Sequence, residues 1–124
     1  MRKFFKWAAI ALLVAVAALF AWGYAPDIPA DELRTKYANA ESEFVDLGDG
    51  LTVHLRDEGP KDAPALILLH GSNASLHTWQ QWVDRLGKEY RIIRYDQPGH
   101  GLTGPHPKDD YSAAGFVDVV DRVA

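Results

Sequence analysis

The first pattern along the chain is an unbroken one: the 19 residues 7–25 carry no charge. As a helix rising 1.5 Å per residue they extend about 28 Å, close to the hydrocarbon thickness of a bilayer. Trp7, Trp22 and Tyr24 lie near the ends of the run, where amphipathic rings favour the membrane interface, and Arg2, Lys3 and Lys6 precede it. That order predicts a single-pass anchor touching the lipid bilayer through residues 7–25, with the N-terminus cytoplasmic and the body on the opposite side. A removed secretory signal shares the basic start and apolar core, so a secreted body is the alternative. Gly23 and Ala25 suit cleavage after Ala25, whereas Pro26 in the next position opposes it. Pro26 and Pro29 then break the helix, and residues 27–42 read as a polar, partly helical connector.

Beyond the connector the period changes. Residues 44–47 and 51–56 alternate apolar and polar on either side of Gly48-Asp49-Gly50, which predicts an antiparallel hairpin closed by Gly59 and Pro60. The run Ala65-Leu66-Ile67-Leu68-Leu69 is continuously apolar, too short for a helix and flanked by Pro64 and Gly71. It predicts a strand buried on both faces. A helix follows, capped by Ser75 or Thr78, with Gln81 placed to complete a capping box from Thr78. Trp79, Trp82, Val83 and Leu86 recur at helical spacing and mark a core face that includes both tryptophans; Gly87 suits the C-terminal end. Residues 90–95 predict another strand, and Ala113, Phe116, Val117 and Val120 the apolar face of a helix starting near Ser112. The succession strand, strand, strand, helix, strand, helix defines an α/β class, with parallel strands, helices on the sheet faces and right-handed crossovers. The chain thus divides into an anchor or signal (1–25), a connector (26–43) and a domain (44–124).

Composition narrows the chemistry. With 124 residues, 48% hydrophobic and 24% charged, there is room for at most one globular domain. The absence of cysteine excludes thiol catalysis and disulfides. Net charge is −4, but setting aside the three basic residues of the N-terminus leaves 10 basic against 17 acidic, and so acidic a body gives no reason to expect a nucleic-acid partner. Neither Gly-x-x-x-x-Gly-Lys-Ser/Thr nor Gly-x-Gly-x-x-Gly follows a strand, which argues against nucleotide binding. No His-x-x-x-His or carboxylate spacing suggests a metal; no metal and no cofactor is expected. The sequence sets no oligomeric state.

Ligands in α/β sheets collect at the carboxyl ends of strands, which directs attention to the residues after Leu69 and Tyr95. These are His70-Gly71-Ser72-Asn73, with Trp79 downstream, and Asp96-Gln97-Pro98-Gly99-His100-Gly101-Leu102-Thr103. As a pair, over roughly residues 44–124, they resemble the α/β-hydrolase superfamily. In that superfamily a His-Gly turn follows the third strand, and an Asp-x-x-Gly-x-Gly-x-Ser/Thr loop ends the fourth. The resemblance implies that the backbone N–H of Ser72 is one donor of an oxyanion hole, each such donor being worth about 10²–10³ in rate. It places His70, Gly71 and Asn73 along the pocket of a small-molecule substrate, and gives the Ser72 side chain no nucleophilic role. Gly71 is expected to let the chain turn where a Cβ would crowd that substrate. Asp96, with Gly99 and Gly101, is expected to hold its own loop together. His70 reads as a hydrogen-bonding residue of the strand end rather than a base. His54, His77 and His100 read as hairpin, helix and loop residues.

The superfamily's nucleophile elbow, Gly-x-Ser-x-Gly, is missing: none of Ser42, Ser72, Ser75 and Ser112 has glycines at both −2 and +2. In the superfamily the elbow follows the helix that begins here near Ser112, and the acid and histidine come later. The expectation is therefore the N-terminal portion of a membrane-anchored hydrolase of an ester or similar small substrate. It would contribute one oxyanion donor and no triad, and would be inactive alone. The alternative is a non-catalytic, membrane-anchored structural or interaction fragment. In the superfamily's strand order the third strand lies between the fourth and the fifth, so without a fifth it becomes an unpaired apolar edge.

Overall fold

A computed structural model describes residues 1–124, apart from the side chain of Arg2. In chain order it has helices α1 (Arg2–Gly23) and α2 (Ala30–Tyr37), strands β1 (Glu43–Asp46), β2 (Thr52–Glu58) and β3 (Ala65–Leu69), helix α3 (Gln80–Leu86), strand β4 (Arg91–Tyr95) and helix α4 (Ala113–Val123). The four strands form one sheet in the order β1-β2-β4-β3. β1 with β2 and β2 with β4 are antiparallel, whereas β3 and β4 run parallel, Leu69 opposite Tyr95. This is the mixed sheet that the sequence resemblance implies, with an apolar helix in front of it.

α1 starts earlier than the uncharged run because the basic N-terminal residues join the helix; it is long and apolar enough to cross a membrane, and residues 3–23 are not buried against the body. Pro26 and Pro29 keep residues 24–29 out of a helix, since proline lacks the N–H a helix needs, and α2 begins directly after Pro29.

The hairpin forms as its alternation requires, with the turn reversed through left-handed Gly48, Asp49 and Gly50. β3 departs from expectation. It pairs with β4 alone and stands at the sheet edge, half-buried along its middle and with Leu69 42% exposed, rather than buried on both faces. The connection to α3 also differs. Leu76–Trp79 form a 3₁₀ turn, α3 begins only at Gln80, and no side chain caps either segment, so the Thr78–Gln81 capping box is not made. Trp82 is 55% exposed rather than part of a core, and Trp79 is half-buried with its indole N–H unpartnered.

α4 is capped as foreseen, the Ser112 hydroxyl accepting the Gly115 N–H at 3.1 Å. Its buried face is rotated from the predicted one: Val119 is fully buried and Val117 is 58% exposed. The stripe runs Gly115-Val119-Val123, with Phe116 and Val120 beside it, and the absence of a Cβ at Gly115 leaves room for the Asp110 carboxylate. Val119 packs on Leu51, Val53, Leu55 and Tyr95 from one face of the sheet. The opposite face holds a buried cation. Arg94 is fully buried on Glu58 in a two-pronged pair at 2.7 and 3.0 Å, and also donates to Gln80 Oε1 at 2.8 Å and the Leu76 carbonyl at 3.2 Å. A planar guanidinium with all these partners tolerates an interior that a lone cation would not.

Candidate active site

The site lies where β3 and β4 end side by side. After Leu69 the chain leaves the sheet through His70, which is buried, and then Gly71, Ser72 and Asn73, which are exposed. The Gln97 N–H donates to His70 Nε2 at 3.0 Å, so the other ring nitrogen carries the proton and gives it to the Gly71 carbonyl at 2.8 Å. The Gln97 side-chain amide donates back to the His70 carbonyl. His70 is thus a clamp between the two strand-end loops, with neither ring nitrogen left for proton transfer. His100 stacks edge-on against it at 5.1 Å.

The reversal of this loop is not at Gly71. Among the described residues a Cβ there would have no neighbour within 4 Å, and its φ is not left-handed; Asn73, at φ 55°, makes the turn instead. Asparagine is among the few L-residues that tolerate this region. The result is that, among the described residues, the Ser72 N–H meets no acceptor. An exposed N–H without a ladder or helix partner, at the carboxyl end of a parallel strand, is available to a ligand.

The second loop is organised around the Asp96 carboxylate, 1% exposed. Oδ1 accepts the Leu76 N–H at 2.8 Å; Oδ2 accepts the Leu102 N–H at 2.9 Å and His54 Nδ1–H at 2.8 Å. Burial alone would raise this carboxyl, but the bonds from His54, Leu76 and Leu102 together outweigh it and hold it below its ordinary value. Gly99 and Gly101 are both left-handed, and a Cβ on Gly101 would collide with the carboxylate itself. Thr103 completes the loop, its hydroxyl donating to the Asp96 carbonyl at 2.5 Å and accepting the His54 N–H at 3.0 Å.

His54 is the residue that sequence reasoning missed. It read only as a hairpin residue, yet it is fully buried, stacked on Phe44 at 5.0 Å. Its other ring nitrogen meets Ser42 Oγ at 2.8 Å, giving the series Ser42–His54–Asp96. The geometry imitates a nucleophilic triad, but Ser42 has no free lone pair. Its oxygen accepts the Asn39 N–H at 3.2 Å and Arg56 Nε–H at 3.3 Å, while its one proton has both His54 Nε2 at 2.8 Å and Asn39 Oδ1 at 3.2 Å as acceptors. An oxygen so occupied cannot attack a carbonyl, and the series is a strut between connector and loop. No local signal in the sequence announces it, since the partners lie 12 and 42 residues apart.

With this architecture in view, likeness to known proteins gives the class. Residues 64–124 match the family described as alpha/beta hydrolase fold, and the chain belongs to that superfamily, of which it carries the N-terminal portion of the sheet. Probable oxidoreductase EphD of Mycobacterium tuberculosis is 37% identical over 83 residues, which is 66% of this chain and 14% of that protein. A crystallised epoxide hydrolase from metagenomes of hot environments is 32% identical with a TM-score of 0.62, over 70% of this chain and 30% of that one. A membrane phospholipase A structure, described as a bacterial virulence factor, aligns with 98% of this chain and 39% of its own at a TM-score of 0.62; at 23% identity it shows likeness of fold alone. The chain spans less than a third of the length of the first two of these proteins.

Proposed function

We propose that this chain is the N-terminal portion of a membrane-anchored hydrolase acting on an ester or similar small substrate. On this reading residues 1–25 hold the body at the bilayer, residues 26–43 connect, and residues 44–124 open the catalytic domain. The chain supplies one oxyanion donor, the Ser72 N–H, beside Gly71 and Asn73. The nucleophile, acid and base belong to sequence that would follow α4. The observation that carries the reading is the unpartnered Ser72 N–H at the end of β3, beside a loop that Asp96 holds rigid. A donor fixed before the reaction costs no reorganisation when negative charge builds on a substrate oxygen. The differing activities in the names of the related proteins fit a fold that leaves reaction type to later segments.

The test uses the polypeptide extended through the first Gly-x-Ser-x-Gly encoded downstream, expected about twenty residues on in the superfamily's spacing. Ser72→Pro removes the N–H and is expected to cost about 10²–10³ in kcat on a short acyl ester, while Ser72→Ala costs little. The reverse ordering would assign the role to the hydroxyl. A reading frame that stops at Ala124, with no ester turnover, would favour the non-catalytic, membrane-anchored alternative.

A further inference from the structure

Beside the Ser72 loop, the structure has a groove of about 300 Å³ whose walls come from three parts of the chain: Leu33 and Tyr37 of α2, Ser75 and His77 beyond β3, and Gly101 and Leu102 beyond β4. Its size is at the lower end for ligand sites, too small for a whole diacyl lipid and suited to one chain. Among the polar groups bordering it, Asp96 has its oxygens taken up by Leu76, Leu102 and His54, so it offers little to a polar ligand. Partial burial and the Arg56 charge lower the His77 imidazole below its ordinary value, which disfavours a positive charge there. What remains for an occupant is mainly hydrocarbon surface, which an apolar ligand fills better than water.

The wall formed by α2 is held in position. Arg56 Nη2 donates to the Tyr37 carbonyl at 3.2 Å, the Arg34 guanidinium lies 4.4 Å over the Phe44 ring, and Tyr37 packs on His77 at 6.1 Å. The same wall is tied to the apolar helix. Only residues 24–29 separate α1 from α2. Six residues reach at most about 20 Å even when fully extended. A groove with one wall so tethered opens close to the surface of whatever bilayer α1 enters, and Ser75 at its rim is three residues from Ser72.

We propose that this groove receives one alkyl chain of a bilayer lipid, which makes a membrane amphiphile the substrate class of the site; the proposal rests on the membrane-anchored hydrolase reading above. Entry from the lipid phase would lay the chain against Leu33, Tyr37 and Leu102.

The test is photolabelling of the 124-residue chain in phosphatidylcholine nanodiscs doped with a phosphatidylcholine bearing a diazirine at the end of one acyl chain, followed by peptide mapping. Label is expected on peptides containing Tyr37 and Leu102 as well as on α1. Leu33→Trp, which fills the groove, should lower the Tyr37 and Leu102 label about tenfold and leave the α1 label unchanged. That factor corresponds to excluding roughly two methylene groups from an apolar site. Thr35→Trp, at an exposed position of the same helix, should change neither. Label confined to α1, or groove label indifferent to Leu33→Trp, overturns the proposal. Labelling needs no turnover, so an inactive extended polypeptide would defeat the hydrolase reading without touching this result. Conversely, ester turnover without groove label would defeat only the alkyl-chain assignment.

Discussion

Asp96 shows how one buried side chain sets the behaviour of several segments. Because its bonds hold the carboxyl below the ordinary value of 3.8, the stability it contributes is complete above that pH and is lost as pH falls through the depressed native value. Urea midpoints measured from pH 5 down to pH 2 should therefore fall more steeply for the parent chain than for Asp96→Asn. That variant is less stable at pH 5, and its stability no longer carries this carboxyl's dependence. Parallel curves would contradict the account. Tyr95 gives the opposite case. Its ring is fully buried in the core, its hydroxyl has no partner, and burial pushes its pKa up to about 12. A buried unsatisfied hydroxyl costs about 1–3 kcal/mol, so Tyr95→Phe should raise the stability of this chain by about 1 kcal/mol in urea titration.

At the scale of elements, α4 offers the sharpest check. Val119→Ala removes methyl groups packed against Leu51, Val53, Leu55 and Tyr95 and should cost about 1–3 kcal/mol. Val117→Ala, two residues away and facing solvent, should stay within about 0.5 kcal/mol. The predicted helical face chose Val117, because apolarity marks both valines alike and only contact with β2 and β4 separates them. The hairpin, α4 with its Ser112 cap, the β3 run and the Asp96 loop were legible because their signals are local: alternation, turn glycines, a capping serine, an Asp-Gly-Gly spacing. What escaped notice was non-local. The roles of His54 and Arg94 depend on partners 42 and 36 residues away, and nothing near either residue indicates that a polar side chain will be buried there. The reversal at Asn73 was assigned to Gly71 because glycine is the usual occupant of such a position.

For the whole molecule, the exposed edge dominates. β3 presents an apolar run with one side of its backbone unpaired, and the face behind it leaves Trp82 and Leu69 open. Edges of this kind pair with other chains. Residues 26–124 expressed alone should therefore self-associate through this edge, with amide signals in a ¹H–¹⁵N spectrum that broaden as concentration rises and sharpen on dilution. Signals equally sharp at every concentration would show that the edge is inert.

The position of β4 between β2 and β3 also governs the order of events during synthesis. Only the hairpin can close as soon as it leaves the ribosome; β3 emerges with nothing to bind and must wait until residues 91–95 follow. Pairings between remote segments form slowly, and the waiting segment is adhesive. From Leu69 to Tyr95, 26 residues of elongation, that strand stays without its partner, and over this stretch the polypeptide is most exposed to a wrong neighbour.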